Sequence, residues 1–335
     1  MTTLKVARWA PRLRRRDRRS AGEGSAPRKL ALVLSGGATR GAFQVGVIDV
    51  LARRGIRPDV LIGTSVGAIN AAYWAFHPGP DVGARLLEAW HEAGAARVLP
   101  DRPLRIVGNL IGSRLHERHT LARVLERQLP EPTVTIESAR LPLRIVACNL
   151  STGLAVAFQS GTALPALLAS AAVPGVFPPV VIDGEPYADG GVVANCPLET
   201  AREEGATDVL AIDLVGRQSR WEPAGRFASV ERAVNVSLAS QTRLALDGLR
   251  GNLRIALLRP HLDLPPGFGD FSQTLTLFGD GQRAAEQFLA AHWRDDRTVV
   301  PGELEFASPH AALAVGELPA RDGAGTPLGP RHLLR

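Results

Sequence analysis

The chain has 335 residues, 45% of them hydrophobic and 21% charged, a composition that fits one large or two modest globular domains and excludes a fibrous or wholly disordered protein. No run approaches the roughly 18 apolar residues that a membrane-spanning helix needs; the longest apolar-leaning stretch, 61–76, is broken by Thr64, Ser65 and Asn70. Two cysteines, Cys148 and Cys196, make neither a disulfide framework nor a metal-ligand cluster, so no metal or other cofactor is expected, and a reducing cytoplasm is the expected setting.

The charge is unevenly spread. Residues 1–29 hold ten basic side chains (Lys5, Arg8, Arg12, Arg14, Arg15, Arg16, Arg18, Arg19, Arg28 and Lys29) against Asp17 and Glu23. That arm is +8 within a chain of net +6, so the remainder is −2. Such a segment lacks the apolar residues to build a core, and no apolar h-region marks it as a signal peptide. It reads either as a solvated tail or as an arm drawn to anionic lipid headgroups, a peripheral membrane contact. Nucleic acid is not the expected partner, because no aromatic interleaving or binding motif accompanies the run.

Order is expected from residue 30. Residues 30–34 (LALVL) form a continuous apolar run, the mark of a strand buried on both faces. SGGATRG, 35–41, follows as a glycine-rich turn, and Phe43, Val47, Ile48, Val50 and Leu51 then recur at helical spacing until Arg54-Gly55. Residues 59–62 make a second strand, GTSVG (63–67) a second turn, and 66–76 a second helix. Two strand–turn–helix units in succession predict a parallel α/β sheet. The stretch 78–142 is mostly helical in pattern. Strands are predicted at 143–147, 154–158, 180–182, 209–214 and 253–258, with helices over 228–250 and 272–292, a Pro/Gly-rich loop over 262–270, and fading periodicity beyond Arg294.

Two of these turns can carry chemistry. In GTSVG, Gly63 and Gly67 stand two positions either side of Ser65, where a sharp strand-to-helix corner leaves no room for side chains. Ser65 then projects from the start of a helix whose positive end favours developing negative charge. An α/β-hydrolase is not the fit, since one strand–helix unit precedes the serine where that fold needs several. No histidine after it stands in a triad-like setting. The first turn, SGGATRG, has two readings. It fails the dinucleotide spacing, because Ala38 occupies the second required glycine and no acidic residue ends the second strand. The other reading is an oxyanion hole, with backbone N–H groups around Gly37 and Ala38 facing the oxygen of a tetrahedral intermediate. Arg40 either reinforces that field or holds the loop. Asp189, before Gly190 and Gly191, is a candidate proton acceptor for Ser65, against the plainer reading of an Asp-Gly-Gly turn.

The order SGGATRG, GTSVG, ADGG resembles the patatin-like phospholipase family, as does the block ASAAVPGVFPP at 169–179, and Asn195 and Pro197 match the family's pattern after Asp-Gly-Gly. The similarity runs from about residue 30 to 293. The departure is in the first turn, where Ser35 and Ala38 stand in place of further glycine. The resemblance implies a three-layer α/β/α fold with a mostly parallel central sheet. It also implies a serine–aspartate dyad of Ser65 and Asp189, an oxyanion pocket lined by Gly36, Gly37 and Ala38 with Arg40 in support, and hydrolysis of acyl esters of phospholipids or lysophospholipids. The 169–179 block is read as a helix ending against Pro174 and as structural support for the dyad, with Ser170 not a second nucleophile. The expected organisation is a basic tail (1–29), an acyl hydrolase domain (30–293) and a Pro/Gly/Ala-rich extension (294–335). A non-catalytic lipid-binding or scaffold protein on the same fold is the alternative.

Overall fold

A computed structural model describes residues 28–99, 119–215, 226–261, 269–294 and 297–307. The basic arm up to residue 27, part of the 78–142 region, most of the 262–270 loop and the chain beyond Ala307 lie outside the described residues.

Strand β1 (Leu30–Leu34) leads through a short 3-10 turn (Ala38–Arg40) into helix α1 (Gly41–Arg53), and β2 (Val60–Thr64) leads into α2 (Val66–Phe76). Helices α3 (Val82–Ala95) and α4 (His119–Gln128) follow, then β3 (Leu143–Asn149), β4 (Leu154–Phe158) and α5 (Ala163–Ser170). After these come β5 (Val180–Ile182), β6 (Glu185–Asp189), the short helices α6 (Gly191–Ala194) and α7 (Leu198–Glu203), and β7 (Asp208–Ile212). Helix α8 (Arg226–Leu249), β8 (Arg254–His261), α9 (Thr274–His292) and β9 (Gly302–Ala307) complete the described chain.

The nine strands of the described residues join one sheet in the order β5-β6-β3-β2-β1-β7-β8-β9, with β4 paired to β3. The run from β3 to β9 is parallel, while the β3–β4, β3–β6 and β5–β6 pairings are antiparallel. The central strands read as unbroken apolar runs because helices cover both faces. Leu30, Leu32 and Leu34 point into one core with α1, α2, α3 and α9. Ala31, Val33, Val60 and Ile62 point into the other, against Leu198 and Ala201 of α7 and Leu249 of α8. The fold is therefore a three-layer α/β/α sandwich on a mostly parallel sheet. Helices α1 and α9 touch backbone to backbone: a Cβ on Gly46 would lie 2.0 Å from the Phe278 oxygen, and one on Gly281 would lie 2.0 Å from the Phe43 oxygen.

Three sequence expectations shift. The fading pattern beyond Arg294 conceals β9, which pairs in parallel with β8 and buries Phe306 against Phe43, ring centroids 6.1 Å apart. As an edge strand with one covered face, it buries too few positions to show periodicity. Strand β7 stops at Ile212 rather than 214, because the Leu214 N–H turns to the Ser35 hydroxyl at 2.8 Å. Helix α5 ends at Ser170, short of Pro174, and residues 171–177 continue as tight turns in which Val173 N–H reaches Ala171 O.

Candidate active site

Ser65 occupies the single position between β2 and α2, with φ 55° and ψ −125°. A non-glycine residue in the left-handed region persists only where its surroundings enforce it. Here they do. A Cβ on Gly63 would lie 2.3 Å from the Gly67 oxygen, and a Cβ on Gly67 would lie 2.3 Å from the Leu34 oxygen, so the corner closes only because both residues are glycine. Ser170 Oγ accepts the Ser65 N–H at 2.9 Å and donates to the Val146 oxygen at 2.6 Å, clamping the corner to β3. The Ser65 carbonyl accepts from Ala68 and Ile69 and so starts α2.

Strand β3 brings the aspartate to the serine. Its residues Ile145–Asn149 pair with β4 along one edge. Along the other edge two strands meet end to end: Thr64 of β2 lies opposite Val146, and Asp189 of β6 lies opposite the next residue, Ala147. The last residue of β6 thus abuts the tip of β2, one position short of Ser65. Gly190 makes the junction possible, since a Cβ there would lie 2.5 Å from the Val146 oxygen and 3.0 Å from Thr64 Cγ2. Asp189 N–H donates to the Ala172 carbonyl at 2.9 Å, and Gly191 N–H donates to Asp189 Oδ1 at 2.7 Å.

Asp189 is 6% exposed and Ser65 8%. Burial pushes the Asp189 carboxyl up to about 6, against the lowering pull first of the Ser65 hydroxyl and then of the Gly191 N–H. Oδ2 is buried without a partner at full hydrogen-bond geometry. The serine hydroxyl therefore acts on the carboxyl as a neighbour in a loose contact, of the kind that tightens when a substrate is bound. Among the described residues no histidine acts on this carboxyl. His77 and His292 face the carbonyls of Gln128 and Val300, at 2.8 and 3.0 Å.

The glycine-rich turn lies against the serine. A Cβ on Gly36 would be 3.3 Å from Ser65 Cβ. Gly36 contributes that open space and not a donor, because its N–H is taken by the Asn195 carbonyl at 3.1 Å. Gly37 and Ala38, only half-buried, head the 3-10 turn, where the first N–H groups have no helical acceptor, and no acceptor outside the turn takes them among the described residues. Arg40 points back into the turn, its Nε donating to the Gly37 carbonyl at 3.1 Å. That contact is loop support. Ser35, one of the two departures from further glycine, spends its hydroxyl as a brace between Leu214 N–H and the Gly36 carbonyl.

Three supports hold the site, and two of them went unread in the sequence. A buried network runs from the Trp90 indole N–H to Asn70 Oδ1, from Asn70 Nδ2 to Gln44 Oε1 and the Gly41 carbonyl, and from Gln44 Nε2 to the Ser35 carbonyl. It ties α1, α2 and α3 to the glycine-rich turn. Gln241 of α8 donates to the Gly191 and Val192 carbonyls and accepts the Asn195 N–H. The Ser170 clamp is the third; its serine sits in the quoted 169–179 block, whereas nothing in the local pattern marks Gln44, Asn70 or Gln241. Both cysteines are free and buried, and no cluster able to hold a metal occurs among the described residues.

Residues 32–202 match the family model of the patatin-like phospholipases. The chain is 32% identical over 197 residues to an uncharacterized NTE family protein of Mycobacterium tuberculosis, covering 58% of this chain and 52% of that one. It is 26% identical over 264 residues to patatin-like phospholipase domain-containing protein 7 of Mus musculus, covering 70% of this chain and 19% of the relative. The chain spans about half the length of the first of these relatives and less of the second. Among solved structures, VipD from Legionella pneumophila aligns with a TM-score of 0.42 at 16% identity, over 80% of this chain and 68% of that one. With a family model matched across half its length, and the two motif-bearing turns within the match, the chain belongs to the patatin-like phospholipases.

Proposed function

We propose that the chain hydrolyses acyl esters of phospholipids or lysophospholipids, releasing a fatty acid, with Ser65 as nucleophile and Asp189 as its base. The observation that carries this reading is a serine on an enforced corner beside a buried carboxyl whose proton affinity is lifted to about 6. An ordinary carboxylate is too weak a base for an alcohol, and a base poised near neutral pH suits the task better.

As Ser65 Oγ attacks the acyl carbonyl carbon, its proton passes to Asp189. The negative charge that forms on the carbonyl oxygen is received by the N–H groups of Gly37 and Ala38. Collapse of the intermediate breaks the ester bond, and the leaving alcohol takes the proton from Asp189. Water then attacks the acyl-enzyme, Asp189 accepts its proton, and the fatty acid departs as that proton returns to Ser65. The +8 arm is proposed as a peripheral contact with anionic membrane, where each nearby basic side chain adds about 1 kcal/mol.

Ser65→Ala tests the reading: hydrolysis of a short-chain p-nitrophenyl ester should fall at least about a thousandfold in a folded protein. Wild-type chain should be labelled by a fluorophosphonate and Ser65→Ala should not. Absence of labelling in the wild type would favour the non-catalytic lipid-binding or scaffold alternative.

A further inference from the structure

The Ser65–Asp189 corner holds a third buried side chain with unmet hydrogen-bonding capacity. Asn195 is 3% exposed, and its backbone is committed on both sides, N–H to Gln241 Oε1 and carbonyl to Gly36 N–H, each at 3.1 Å. Its side-chain Nδ2 is shielded from solvent and has no hydrogen-bond partner among the described residues. A buried amide group left unpaired calls for a specific explanation, and an active site is where such groups have one.

Two glycines locate the carboxamide. A Cβ on Gly36 would lie 2.6 Å from Asn195 Oδ1 and 3.3 Å from Ser65 Cβ. A Cβ on Gly191 would lie 3.0 Å from Asp189 Oδ1 and 3.2 Å from Asn195 Oδ1. The Asn195 and Asp189 oxygens therefore flank the same space beside Gly191, acceptor beside acceptor, while the amide donor has no partner among the described residues. A half-turn about Cβ–Cγ exchanges oxygen and nitrogen within the same envelope. It turns an opposition of two acceptors into an N–H···O contact with a carboxylate.

We infer that Asn195 is a positioning residue for Asp189, presenting its NH₂ to the ionised carboxylate and its carbonyl to the carboxylic acid formed when Asp189 has taken the Ser65 proton. The inference rests on the Ser65–Asp189 reading above. The other groups facing Asp189 leave this role open. Ser65 comes from the head of α2, Gly191 N–H from α6 and the Ala172 carbonyl from the turn after α5, while Gln241 and Leu238 of α8, which brace Gly191, are uncharged. The titratable neighbour is Cys148 on β3, whose thiol is raised first by burial and then by Asp189, so it adds no charge at neutral pH.

The test is kcat/KM against pH for wild type, Asn195→Leu (near-isosteric, no donor) and Asn195→Asp, on a soluble short-chain ester, with Ser65→Ala as control. Asp189 must be ionised to accept a proton, so wild-type activity should fall as pH drops through about 6. Removing a donor from the charged form raises that acid limb, by about half a pH unit or more in Asn195→Leu and further in Asn195→Asp. In Asn195→Leu, kcat should drop about tenfold with KM within about twofold. Acid limbs unmoved in both variants, with Ser65→Ala inactive, would overturn this inference alone; activity surviving in Ser65→Ala would overturn the underlying reading as well. A second measurement needs no Asn195 variant. In protein labelled with ¹⁵N at its six asparagines, one side-chain amide should titrate near pH 6 and cease to do so in Asp189→Asn. If no asparagine side chain follows that titration, the inference fails.

Discussion

Burial lifts the Asp189 carboxyl from an ordinary 3.8 to about 6, so at neutral pH the folded chain holds a charge that the unfolded chain holds more easily. Stability referred to this group is highest below about pH 4, declines as pH rises to about 6, and above that stands lower by roughly 3 kcal/mol. Asp189→Asn removes the charge and can still accept the Gly191 N–H. It should therefore be inactive yet more stable than wild type at pH 7–8, with the difference vanishing near pH 4 in paired thermal melts. The first turn holds a smaller strain: Ala38 has φ 50°, a region where an L-residue costs about 1 kcal/mol. Ala38→Gly should raise stability by up to about that amount and leave the ester-hydrolysis rate close to wild type, as chemical denaturation and a rate assay would report. The corner at Ser65 was legible because so tight a strand-to-helix turn must be flanked by small residues at fixed offsets. Asp189 was legible only as one of several Asp-Gly turns until the other motifs joined it, since its partner lies over a hundred positions away and no local spacing encodes that.

At the scale of elements, the supports of the site come from the helices packed around its turns. Ser170, the last residue of α5, holds both the Ser65 N–H and the Val146 carbonyl. Ser170→Ala leaves both groups buried and unpaired, a loss of about 1–3 kcal/mol. Because the corner at Ser65 then loses its clamp, kcat should fall about tenfold with KM little changed, readable from steady-state kinetics on the short-chain ester. The parallel strands were readable as apolar runs because both their faces are covered. The β5–β6 hairpin was not read, although Asp183 and Gly184, with φ 50° and 83°, form a two-residue Asp-Gly turn that signals one. Strand β9 was hidden by its place at the edge, and the Gln44–Asn70–Trp90 network by the fact that buried polar residues inside helices look like surface ones until the fold supplies their partners.

For the whole molecule, the sheet separates two tasks. Strands β7 and β8 hold one flank through ion pairs whose carboxylates are buried, Asp208–Arg254 and Asp213–Arg259, apart from the turns that carry Ser65 and Asp189. No helix among the described residues is long and apolar enough to cross a membrane. Removing residues 1–29 should weaken binding to vesicles rich in anionic lipid, and the weakening should shrink as salt is raised, while hydrolysis of a soluble ester stays unchanged. Co-sedimentation at two salt concentrations, beside the rate assay, would show whether the arm and the site are separable in this way.

The end-to-end meeting of β2 and β6 along one rail of β3 makes the approach of Asp189 to Ser65 a matter of counting. Deleting one residue within Glu185–Asp189 would slide the carboxyl by about 3.3 Å and flip it to the opposite side of the sheet. An added residue at the Asp183–Gly184 bend would be absorbed as a longer loop. Length is thus free to drift at the hairpin tip and fixed over the five positions that follow it.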